Sequence, residues 1–483
     1  MTNPTIGARM SARTLMNLVG ELDPARPVYE ALAERIRLLI LDGRIPVGTR
    51  LPSERELAAA SGRSRTTIVA SYQLVRDAGY LVSRQGSGSR AVLPGPGQDE
   101  SDSRAIDFAR AVPPPVDGLR DIFARMGERM VDALDGPGFD LVGNLSLREA
   151  IAERYTDRGL PTTADQIMVT IGGQHAISLV AHTLLGRGDI ALVEAPTYPH
   201  AYDALKRAGA RLITTPVTSA GWDVDRLVDA LTGARPALAY LVPDFQNPTG
   251  ASMPTEARAR VAEAARSSGT ALVIDETTAD LNIDRPWDDG PFARHAKRVD
   301  ATLGTGAITV GSLSKSIWGG LRMGWIRADT TVIRRLAQAR PAGDLGTPQM
   351  EQLLGEQIVR AMPELLARRR ALLAEHRAAL VRLLGERLPQ WTVPFPDGGL
   401  SLWVQLDWPG SSALTSLCDV RGLSLVAGPK FSLDGAFERH LRIPFTSPIA
   451  DLERGVDLLA DSWEQLTVRR TRRTAMSRMP GVV

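Results

Sequence analysis

Apolar residues near the N-terminal end of the chain recur at the spacing of helix turns. Between residues 28 and 42 they fall on one face of a helix: Val28, Leu32, Ile36, Leu39 and Ile40. Because an α-helix turns once in about 3.6 residues, this pattern predicts an amphipathic helix. Glycine is a common helix terminator, so we expect the helix to end near Gly43.

Hydroxyl residues predict where two further helices begin. Ser53 and Glu56 stand in the S-x-x-E relation that caps two free backbone N–H groups. After a tight turn at Gly62, Ser64 can cap a third helix that continues to Val75. The stretch YLVSRQGSGSRAVL then alternates around a Gly-Ser tip, which predicts a two-stranded hairpin.

A change of composition separates this part from the rest of the chain. Residues 93–105 are rich in Pro, Gly and charge, which is typical of a solvated linker. Beyond it, short apolar runs that suit buried parallel strands alternate with amphipathic helical patterns; these runs are 191–195, 237–242, 271–275 and 307–312. The alternation predicts a doubly wound α/β domain, followed from about residue 364 by a smaller α+β lobe.

Charge is distributed unevenly along the 483 residues. The whole chain has a net charge of +2, but residues 1–95 hold 13 Arg and no Lys against 8 Asp and Glu, a net charge of +5. A local excess of this kind suits a phosphate backbone as partner, although a merely solvated basic face explains the count equally well. The charge count therefore supports a nucleic-acid partner only in combination with a DNA-binding motif.

Three scarcities narrow the function classes. The single Cys418 excludes an internal disulfide framework and a cysteine-built zinc site, and we expect no other metal site. The apolar runs are too short for a membrane span and the N-terminal residues lack a signal-peptide core, so we expect a cytoplasmic protein. Lysine occurs only as Lys206, Lys297, Lys315 and Lys430, which makes each one easier to interpret.

The three helices and the hairpin are the parts of a winged helix-turn-helix. The first turn of its third helix would enter the major groove, where short polar and guanidinium side chains reach bases and phosphates. Arg65, Thr66 and Thr67 occupy that turn, and Arg55 can clamp a phosphate from the preceding helix. Arg84 and Arg90 flank the wing tip. A helical bundle with an exposed basic face is the alternative.

Residues 48–89 resemble the head of the GntR family of regulators. The blocks LPSERELA and SRTT stand at the family's spacing, almost without gaps. The resemblance implies that Arg55, Arg65, Thr66, Thr67 and the wing Gly88 contact double-stranded operator DNA. Val69 replaces an Arg that some fatty-acid-responsive members carry, so a base preference does not transfer.

The α/β part carries the groups that pyridoxal phosphate requires: an imine lysine, a carboxylate for the pyridine nitrogen and phosphate donors. Lys315 follows the run 307–312, with hydroxyls at Ser312 and Ser314 and a guanidinium at Arg322. The lysine could form an imine with the cofactor while Arg322 binds its phosphate. Asp275 ends another run, where a protonated pyridine nitrogen would pair with its carboxylate.

Further groups could surround the same cofactor. Gly172, Gly173 and Gln174 lie between a strand and a helix, where backbone N–H groups form an anion site, although Gly-Gly also serves turns for steric reasons. Tyr198 offers an aromatic face to the ring, and Asn247 could donate to its phenolic oxygen. Each group follows a predicted strand, where open α/β sheets bind ligands.

Residues 106–468 resemble fold-type I aminotransferases, and the whole chain resembles the MocR subfamily of GntR regulators. The supporting motifs are NPTG at 247–250, the S-x-S-K and GGLR blocks at 312–322 and LRIPF at 441–445. The resemblance implies pyridoxal 5'-phosphate as cofactor, Arg442 as binder of an effector or substrate carboxylate, and a head-to-tail homodimer with shared sites.

Two positions depart from that family. A Tyr usually follows the ring-pairing Asp by two or three residues, where this chain has Thr277 and Thr278. A threonine is shorter and has no phenol, which leaves full transamination open. Phe139 stands where relatives tend to have a Tyr that reaches the partner's phosphate, and it has no hydroxyl.

The sequence thus predicts a multidomain regulator. Its expected parts are a flexible N-terminus (1–20), a mostly helical winged helix-turn-helix (21–92), the linker (93–105), the α/β aminotransferase-like domain with its small α+β lobe (106–468) and a basic, disordered tail (469–483). Such a protein would sense pyridoxal phosphate, or an amine or amino acid, through an imine at Lys315. A working aminotransferase with a DNA-binding head is the alternative, and a domain that has lost its cofactor is a third interpretation.

Overall fold

A computed structural model describes residues 9–20, 22, 27–41, 43–84, 88–92, 106–127, 131, 134, 138–285, 290–296 and 306–477. By its internal contacts the chain divides into two compact units. The first contains described residues within Met1–Asp107, Trp408–His440 and Asp457–Val483, and the second those within Phe108–Asp407 and Leu441–Val456.

The N-terminal part of the first unit is a helical head with a wing. Its elements are α1 (Ala12–Val19), α2 (Val28–Leu41), α3 (Glu54–Ser61), α4 (Arg65–Asp77), β1 (Leu81–Arg84) and β2 (Gly88–Ala91). The Ser53 hydroxyl accepts from the Glu56 amide at 3.2 Å, while the Glu56 carboxylate accepts from the Ser53 amide at 2.8 Å, so the expected capping box starts α3. β1 and β2 pair antiparallel, as the hairpin pattern predicts.

We expected residues 1–20 to be flexible. This prediction is wrong for residues 12–19, which form α1. Ser11 caps this helix, accepting from the Thr14 amide at 3.0 Å. Leu15 and Val19 are fully buried in the core of the head, so burial of these two side chains offsets the entropy of ordering the segment. The sequence pattern of this helix is weak because it is only eight residues long and has no acidic residue in its first turn and no basic residue in its last turn.

The first unit also contains elements from both ends of the region that we expected to form the α/β domain. These are β3 (Ile106–Asp107), α15 (Ser411–Asp419), β13 (Leu423–Ser424) and β14 (Val426–Ala427). The Ser416 hydroxyl donates to Glu34 of α2 at 3.0 Å, and Arg35 and Arg44 lie 3.8 and 3.6 Å from Glu438. The two compact units do not begin or end at residues 92 or 106. The domain boundaries that we expected at those residues therefore stay predictions.

The second unit is built on a large mixed sheet. Its described strands are β4 (Ile167–Thr170), β5 (Ile190–Ala195), β6 (Arg211–Thr218), β7 (Gly221–Trp222), β8 (Leu238–Leu241), β9 (Ala271–Asp275), β10 (Ile308–Ser312) and β11 (Gly324–Arg327), and the order is β4-β11-β10-β9-β8-β5-β6-β7. From β10 to β6 the neighbours are parallel, and the outer strands pair antiparallel. The expected α/β class and the four expected strands are confirmed.

Helices connect these strands and enclose a large apolar core. They are α5 (Leu119–Ala124), α6 (Leu145–Asp157), α7 (Gly172–Leu184), α8 (Pro199–Arg207), α9 (Val224–Ala234), α10 (Thr255–Ser268), α11 (Leu313–Ser316), α12 (Thr330–Ala339), α13 (Gln349–Arg360) and α14 (Met362–Arg387). The strands β8, β9 and β10 are buried at every residue, as expected for parallel strands covered on both faces. The outer strand β4, which pairs antiparallel, is buried at every residue as well.

The chain ends in β12 (Ser401–Gln405), β15 (His440–Pro444) and α16 (Ile449–Ser477). Helix α16 passes Val468, after which we expected disorder, and continues to Ser477. Within the described residues, every helix is too short or too polar to cross a lipid bilayer.

Candidate functional site

The candidate cofactor residues converge at the carboxyl ends of neighbouring strands. Asp275 is the last residue of β9, and Ser312 is the last residue of the adjacent β10. Gly172 and Gly173 begin α7, directly after β4. Parallel neighbours end at one edge of a sheet, so residues far apart in sequence become neighbours there.

Lys315 lies in the short helix α11, half-buried beside other charges. Its Nζ donates to the carbonyl of Ala111 at 3.0 Å. Burial lowers the pKa of Lys315 to about 8, and the nearby guanidinium groups of Arg442 and Arg322 act in the same direction, while Asp275 opposes them. More of this amine is therefore unprotonated near neutral pH than of an exposed lysine, as imine formation requires.

Asp275 is buried, and each of its oxygens accepts one hydrogen bond. The amide of Thr277 donates to Oδ1 at 2.9 Å, and the hydroxyl of Tyr240 donates to Oδ2 at 2.5 Å. Thr278 donates instead to the carbonyl of Asp244 at 2.9 Å. The Thr277 amide therefore binds the carboxylate and the Thr278 hydroxyl binds the backbone. Neither residue has the phenol that the family resemblance leads us to expect at this place.

The phosphate end combines glycine backbone with a guanidinium. A Cβ on Gly172 would stand 2.8 Å from an Arg322 Nη, and one on Gly173 would stand 3.0 Å from Thr277. Arg322 also donates to the Ser314 hydroxyl at 3.4 Å. Two residues without side chains thus leave a cradle that a guanidinium faces, which suits a phosphate.

Ser312 and Gln174 are partly committed to the protein. The Ser312 hydroxyl donates to the Met323 carbonyl at 2.9 Å and accepts from the Ser314 amide at 3.1 Å, so it caps α11. Gln174 donates to the His200 carbonyl at 2.9 Å, but its Oε1 is buried without a donor among the described residues.

Tyr198 and Asn247, the two residues expected at the cofactor ring, are both half-buried. Burial and the Asp275 carboxylate raise the pKa of Tyr198 to about 12, while Arg322 and Arg442 oppose that change, so these charges surround the phenol. Asn247 has a buried Oδ1 for which the described chain offers no donor. An unsatisfied buried amide is costly, and a polar ligand would relieve that cost.

Arg442 is buried on β15, and it donates to the carbonyl of Ala109. Its positive charge lowers the pKa of both Lys315 and Tyr198, so Arg442 acts on the same site as these two residues. Taken together, an amine, a carboxylate, an anion cradle and two guanidinium groups fit pyridoxal phosphate and a carboxylate-bearing partner.

Sequence reasoning missed two residues of this site. Tyr240 lies inside the apolar run 237–242, and only its hydroxyl in an otherwise apolar strand could have drawn attention to it. A Cβ on Gly324 would stand 2.6 Å from the carbonyl carbon of Gly172 and 2.8 Å from the Gly173 nitrogen. Gly324 therefore permits the close backbone approach that builds the anion cradle.

In the head, the candidate DNA-contacting residues are exposed on one short stretch. Arg55 lies on α3, and Arg65 and Thr66 lie in the first turn of α4, all exposed, while Thr67 is half-buried. Ser64 accepts from the Thr67 amide at 3.1 Å and so caps α4. Arg65 and Thr66 are thus exposed at a capped helix start, where the Thr66 hydroxyl lies 2.9 Å from the Ser64 hydroxyl.

The wing is described on both of its strands but not at its tip. Gly88 has φ +77°, and a Cβ there would stand 2.8 Å from the Arg50 Nε, so this position favours glycine. The backbone of Arg84 pairs with Gly88, while its side chain and residues 85–87 lie outside the described part.

Phe139, the second residue that departs from the aminotransferase pattern, lies in the second unit, and its side chain is 58% exposed.

Comparisons with known proteins match the N-terminal head and the rest of the chain to two different families. The family model "Aminotransferase class I and II" matches residues 124–459, and "Bacterial regulatory proteins, gntR family" matches residues 28–90. A 2-aminoadipate transaminase of Thermus thermophilus is 31% identical over 59% of this chain and 71% of its own length. The probable rhizopine catabolism regulatory protein MocR of Rhizobium meliloti is 28% identical over 80% of this chain and 83% of its own.

Among solved structures, the α-aminoadipate aminotransferase LysN of Thermus thermophilus is similar in fold. It is 28% identical, with a TM-score of 0.67, over 75% of this chain and 93% of that protein. That structure is a complex with N-(5'-phosphopyridoxyl)-L-leucine.

Proposed function

The chain belongs to the aminotransferase class I and II family and carries a gntR-type regulatory head, an architecture it shares with the MocR regulator. From this premise we propose that it is a transcription regulator that binds pyridoxal phosphate at Lys315 and senses an amine or amino acid there. Its DNA-binding head acts on a double-stranded operator.

The observation that carries the proposal is the electrostatic coupling of residues that are distant in sequence. Burial lowers the pKa of Lys315 to about 8, and the charges of Arg442, Asp275 and Arg322 also act on its amine. Perturbed ionisable groups gathered in one place are typical of functional sites. A purely structural α/β domain has no need for an amine whose pKa is lowered to about 8 beside two guanidinium groups.

Pyridoxal phosphate supplies an aldehyde and an electron-withdrawing ring when bound. Lys315 offers the amine, Asp275 holds a proton at the ring nitrogen, and Arg322 with the backbone of Gly172 and Gly173 binds the phosphate. Asn247, Tyr198, Gln174, Ser312 and Ser314 orient the ring and phosphate from the sides. Arg442 binds the carboxylate of an amino acid effector, which makes this class of ligand more suitable than a simple amine.

A ligand can alter DNA binding only if it binds two states of the protein unequally. The carbonyls of Ala109 and Ala111 accept from Arg442 and Lys315, the two cations that an amino acid and the cofactor would engage. Ligands at these cations therefore compete with a segment that follows the 93–105 linker in the chain. We infer that displacement of this segment is the first event of sensing.

At the operator, Arg65 and Thr66 reach base edges while Arg55, Arg84 and Gly88 contact the backbone. Exposure at the capped start of α4 supports this assignment for the first two. Such a regulator works in the cytoplasm, where the operator is accessible.

A homodimer completes the proposal, because fold-type I sites lie between subunits. Large apolar side chains are exposed along residues 123–145 and at 345: Phe123, Val131, Leu134, Phe139, Leu145 and Leu345. The backbone at Gly346 approaches Asp140 closely, so the last of these lies near Phe139. Exposed apolar surface of this kind suits a partner subunit. Light scattering of the purified protein should give twice the chain mass.

The decisive experiment measures operator affinity with and without cofactor. The chain is first saturated with pyridoxal phosphate, and a yellow lysine-linked chromophore is expected. A gel-shift titration then compares cofactor-free protein, loaded protein and loaded protein with individual amino acids. Identical affinities in all three would remove the sensing role, and absence of the chromophore would remove the cofactor.

A second candidate function is a working aminotransferase with a tethered head. The presence of both Lys315 and Arg442, with the 31% identity to a transaminase, favours it. Sustained turnover of an amino donor with an oxo-acid acceptor would establish this activity. A single half-reaction without turnover would favour sensing.

A further inference from the structure

Tyr240 is a buried tyrosine whose hydroxyl is bonded to a carboxylate, and the nearby Glu194 and Tyr198 also act on this phenol. It lies on β8 beside Val193 of β5 and Val273 of β9, and its side chain is fully buried. Its hydroxyl donates to Asp275 Oδ2 at 2.5 Å. A hydrogen bond this short between a phenol and a carboxylate is of the strong, charge-assisted kind.

The other side of the carboxylate is already satisfied by the backbone. The Thr277 amide donates to Oδ1 at 2.9 Å, so Asp275 accepts one donor on each oxygen. A carboxylate has about four acceptor sites, and the remaining ones can face a ring nitrogen. The two donors fix both the orientation of the carboxylate and how much negative charge it presents.

The hydroxyl of Tyr240 is held in its protonated form. Burial raises the pKa of Tyr240 well above its ordinary value, and the Asp275 charge and the hydrogen bond to it act in the same direction. Over the whole working pH range the phenol therefore keeps its proton and can act only as a donor towards Asp275.

We propose that Tyr240 is a positioning residue that controls, through Asp275, where the proton between carboxylate and cofactor ring nitrogen resides. The inference rests on the proposed function, because it requires pyridoxal phosphate at Lys315. A donor on Oδ2 withdraws charge from the carboxylate and weakens its hold on a proton. The proton then stays on the ring nitrogen, which keeps the ring electron-withdrawing.

Loss of the hydroxyl has an expected direction. Without it, the carboxylate attracts the shared proton more strongly, and the ring nitrogen becomes more like that of neutral pyridine. A less electron-withdrawing ring makes the lysine-linked nitrogen more basic. The pH at which the chromophore changes colour should therefore rise by about 0.5–1 unit, a part of what a charge-assisted hydrogen bond is worth.

The test compares Tyr240→Phe with a matched control, Tyr155→Phe. Tyr155 is also buried, and its hydroxyl accepts from the Trp325 indole at 3.1 Å rather than donating to Asp275. Each protein is loaded with pyridoxal phosphate labelled with ¹⁵N at the ring. We expect Tyr240→Phe to move the ¹⁵N resonance towards neutral pyridine and the colour midpoint upward, and Tyr155→Phe to leave both at the wild-type values.

An Asp275→Asn background separates this role from a structural one. If Tyr240 acts through the carboxylate, adding Tyr240→Phe there should produce no further shift in either signal. If Tyr240→Phe fails to fold, 3-fluorotyrosine at position 240 preserves the shape with a stronger donor, and the midpoint should then fall.

The outcomes distinguish this inference from the proposed function. A wild-type protein that forms no chromophore contradicts the proposed function. A wild-type chromophore whose ¹⁵N resonance and midpoint are unchanged in Tyr240→Phe, or by fluorination, overturns the role of Tyr240 alone. A shift that persists in the Asp275→Asn background also overturns it.

Discussion

The head and the cofactor site are built in opposite ways. The DNA-contacting candidates fall between residues 55 and 88, are largely exposed, and are held by local caps such as Ser64. The cofactor candidates span residues 172–442, are buried or half-buried apart from the exposed Arg322, and meet only because strands end together. One surface follows from local helix chemistry, whereas the other follows from the register of a sheet.

This difference teaches where a substitution should be felt. An exposed side chain on a capped helix can be removed without disturbing the fold, so its loss should affect binding alone. A buried group at a strand end is tied to both chemistry and packing. Substitutions in one region should therefore leave the readout of the other unchanged, unless ligand binding couples the two.

The largest effect is expected for Lys315→Ala. Removing the amine eliminates the covalent link to pyridoxal phosphate, so the yellow chromophore should be absent at any cofactor concentration. Operator affinity of the cofactor-free protein should equal that of the wild type, because the head lacks a role in that link. Absorbance and gel-shift titrations check both. A chromophore that survives in Lys315→Ala would show that the wrong lysine was chosen.

Gly324→Ala should be the next most damaging change. The new Cβ would stand 2.6 Å from the Gly172 carbonyl carbon and 2.9 Å from the Gly311 oxygen, and backbone atoms cannot give way as side-chain ends do. We expect a loss of about 3 kcal/mol in unfolding free energy together with weaker phosphate binding.

Gly233→Ala is the matched control for Gly324→Ala. Gly233 lies on α9, and a Cβ there meets nothing within 4 Å. Alanine favours a helix over glycine by about 0.5–1 kcal/mol, so this variant should be slightly more stable. Equal losses in the two variants would contradict the crowding argument. Denaturant unfolding measures both.

The two regions also differed in how much the sequence revealed. In the head, the capping residues and hairpin were predicted because each depends on neighbours within a few positions. Helix α1 was missed, because only its packing of Leu15 and Val19 against the head stabilises so short a segment.

In the cofactor region, the chemically distinctive residues could be assigned from motifs. The fold brings Lys315, Asp275 and Arg322 together, as expected. Tyr240 and Gly324 could not be assigned, since the first depends on the pairing of β8 with β9 and the second on how closely two backbones approach. Likewise, the grouping of residues 408–440 with the head depends on contacts such as Ser416 with Glu34, which leave no periodic pattern.

In the second unit, stability should depend on pH through Glu194, because its carboxyl group is buried near the end of β5. Burial raises the pKa of Glu194 to about 7 from 4.5, although Gln246, Val242 and Trp222 donate to it. Between these two values the native state binds more protons than the unfolded state, so stability falls as pH rises. The decrease should approach about 3 kcal/mol.

Glu194→Gln should remove this decrease, because an amide does not ionise in that range. Denaturant unfolding at a series of pH values, with the exposed Glu149→Gln as control for net charge, measures the difference. If wild type and Glu194→Gln lose stability in parallel between pH 4.5 and 7, the titrating group is another one.

Arg65→Ala should weaken operator binding by about 1–3 kcal/mol, which corresponds to roughly 5- to 150-fold. The chromophore and its affinity for pyridoxal phosphate should not change, because Arg65 is exposed on the head. Arg187→Ala removes the same charge from an exposed position of the second unit and should leave operator affinity within about twofold of wild type. If Arg187→Ala lost as much operator affinity as Arg65→Ala, the effect of Arg65→Ala would be explained by net charge alone.

The smallest effect is expected for Ser64→Ala, which removes the cap of α4. The Ser64 hydroxyl accepts from the Thr67 amide at 3.1 Å, and loss of such a cap costs about 1 kcal/mol of stability. Ser64→Asn keeps an acceptor and should recover most of that loss in thermal unfolding. If operator affinity recovers with it, Ser64 acts by ordering the turn that holds Arg65 and Thr66. If stability recovers but affinity does not, the hydroxyl itself touches DNA, and the head then follows less from local helix chemistry than its sequence suggests.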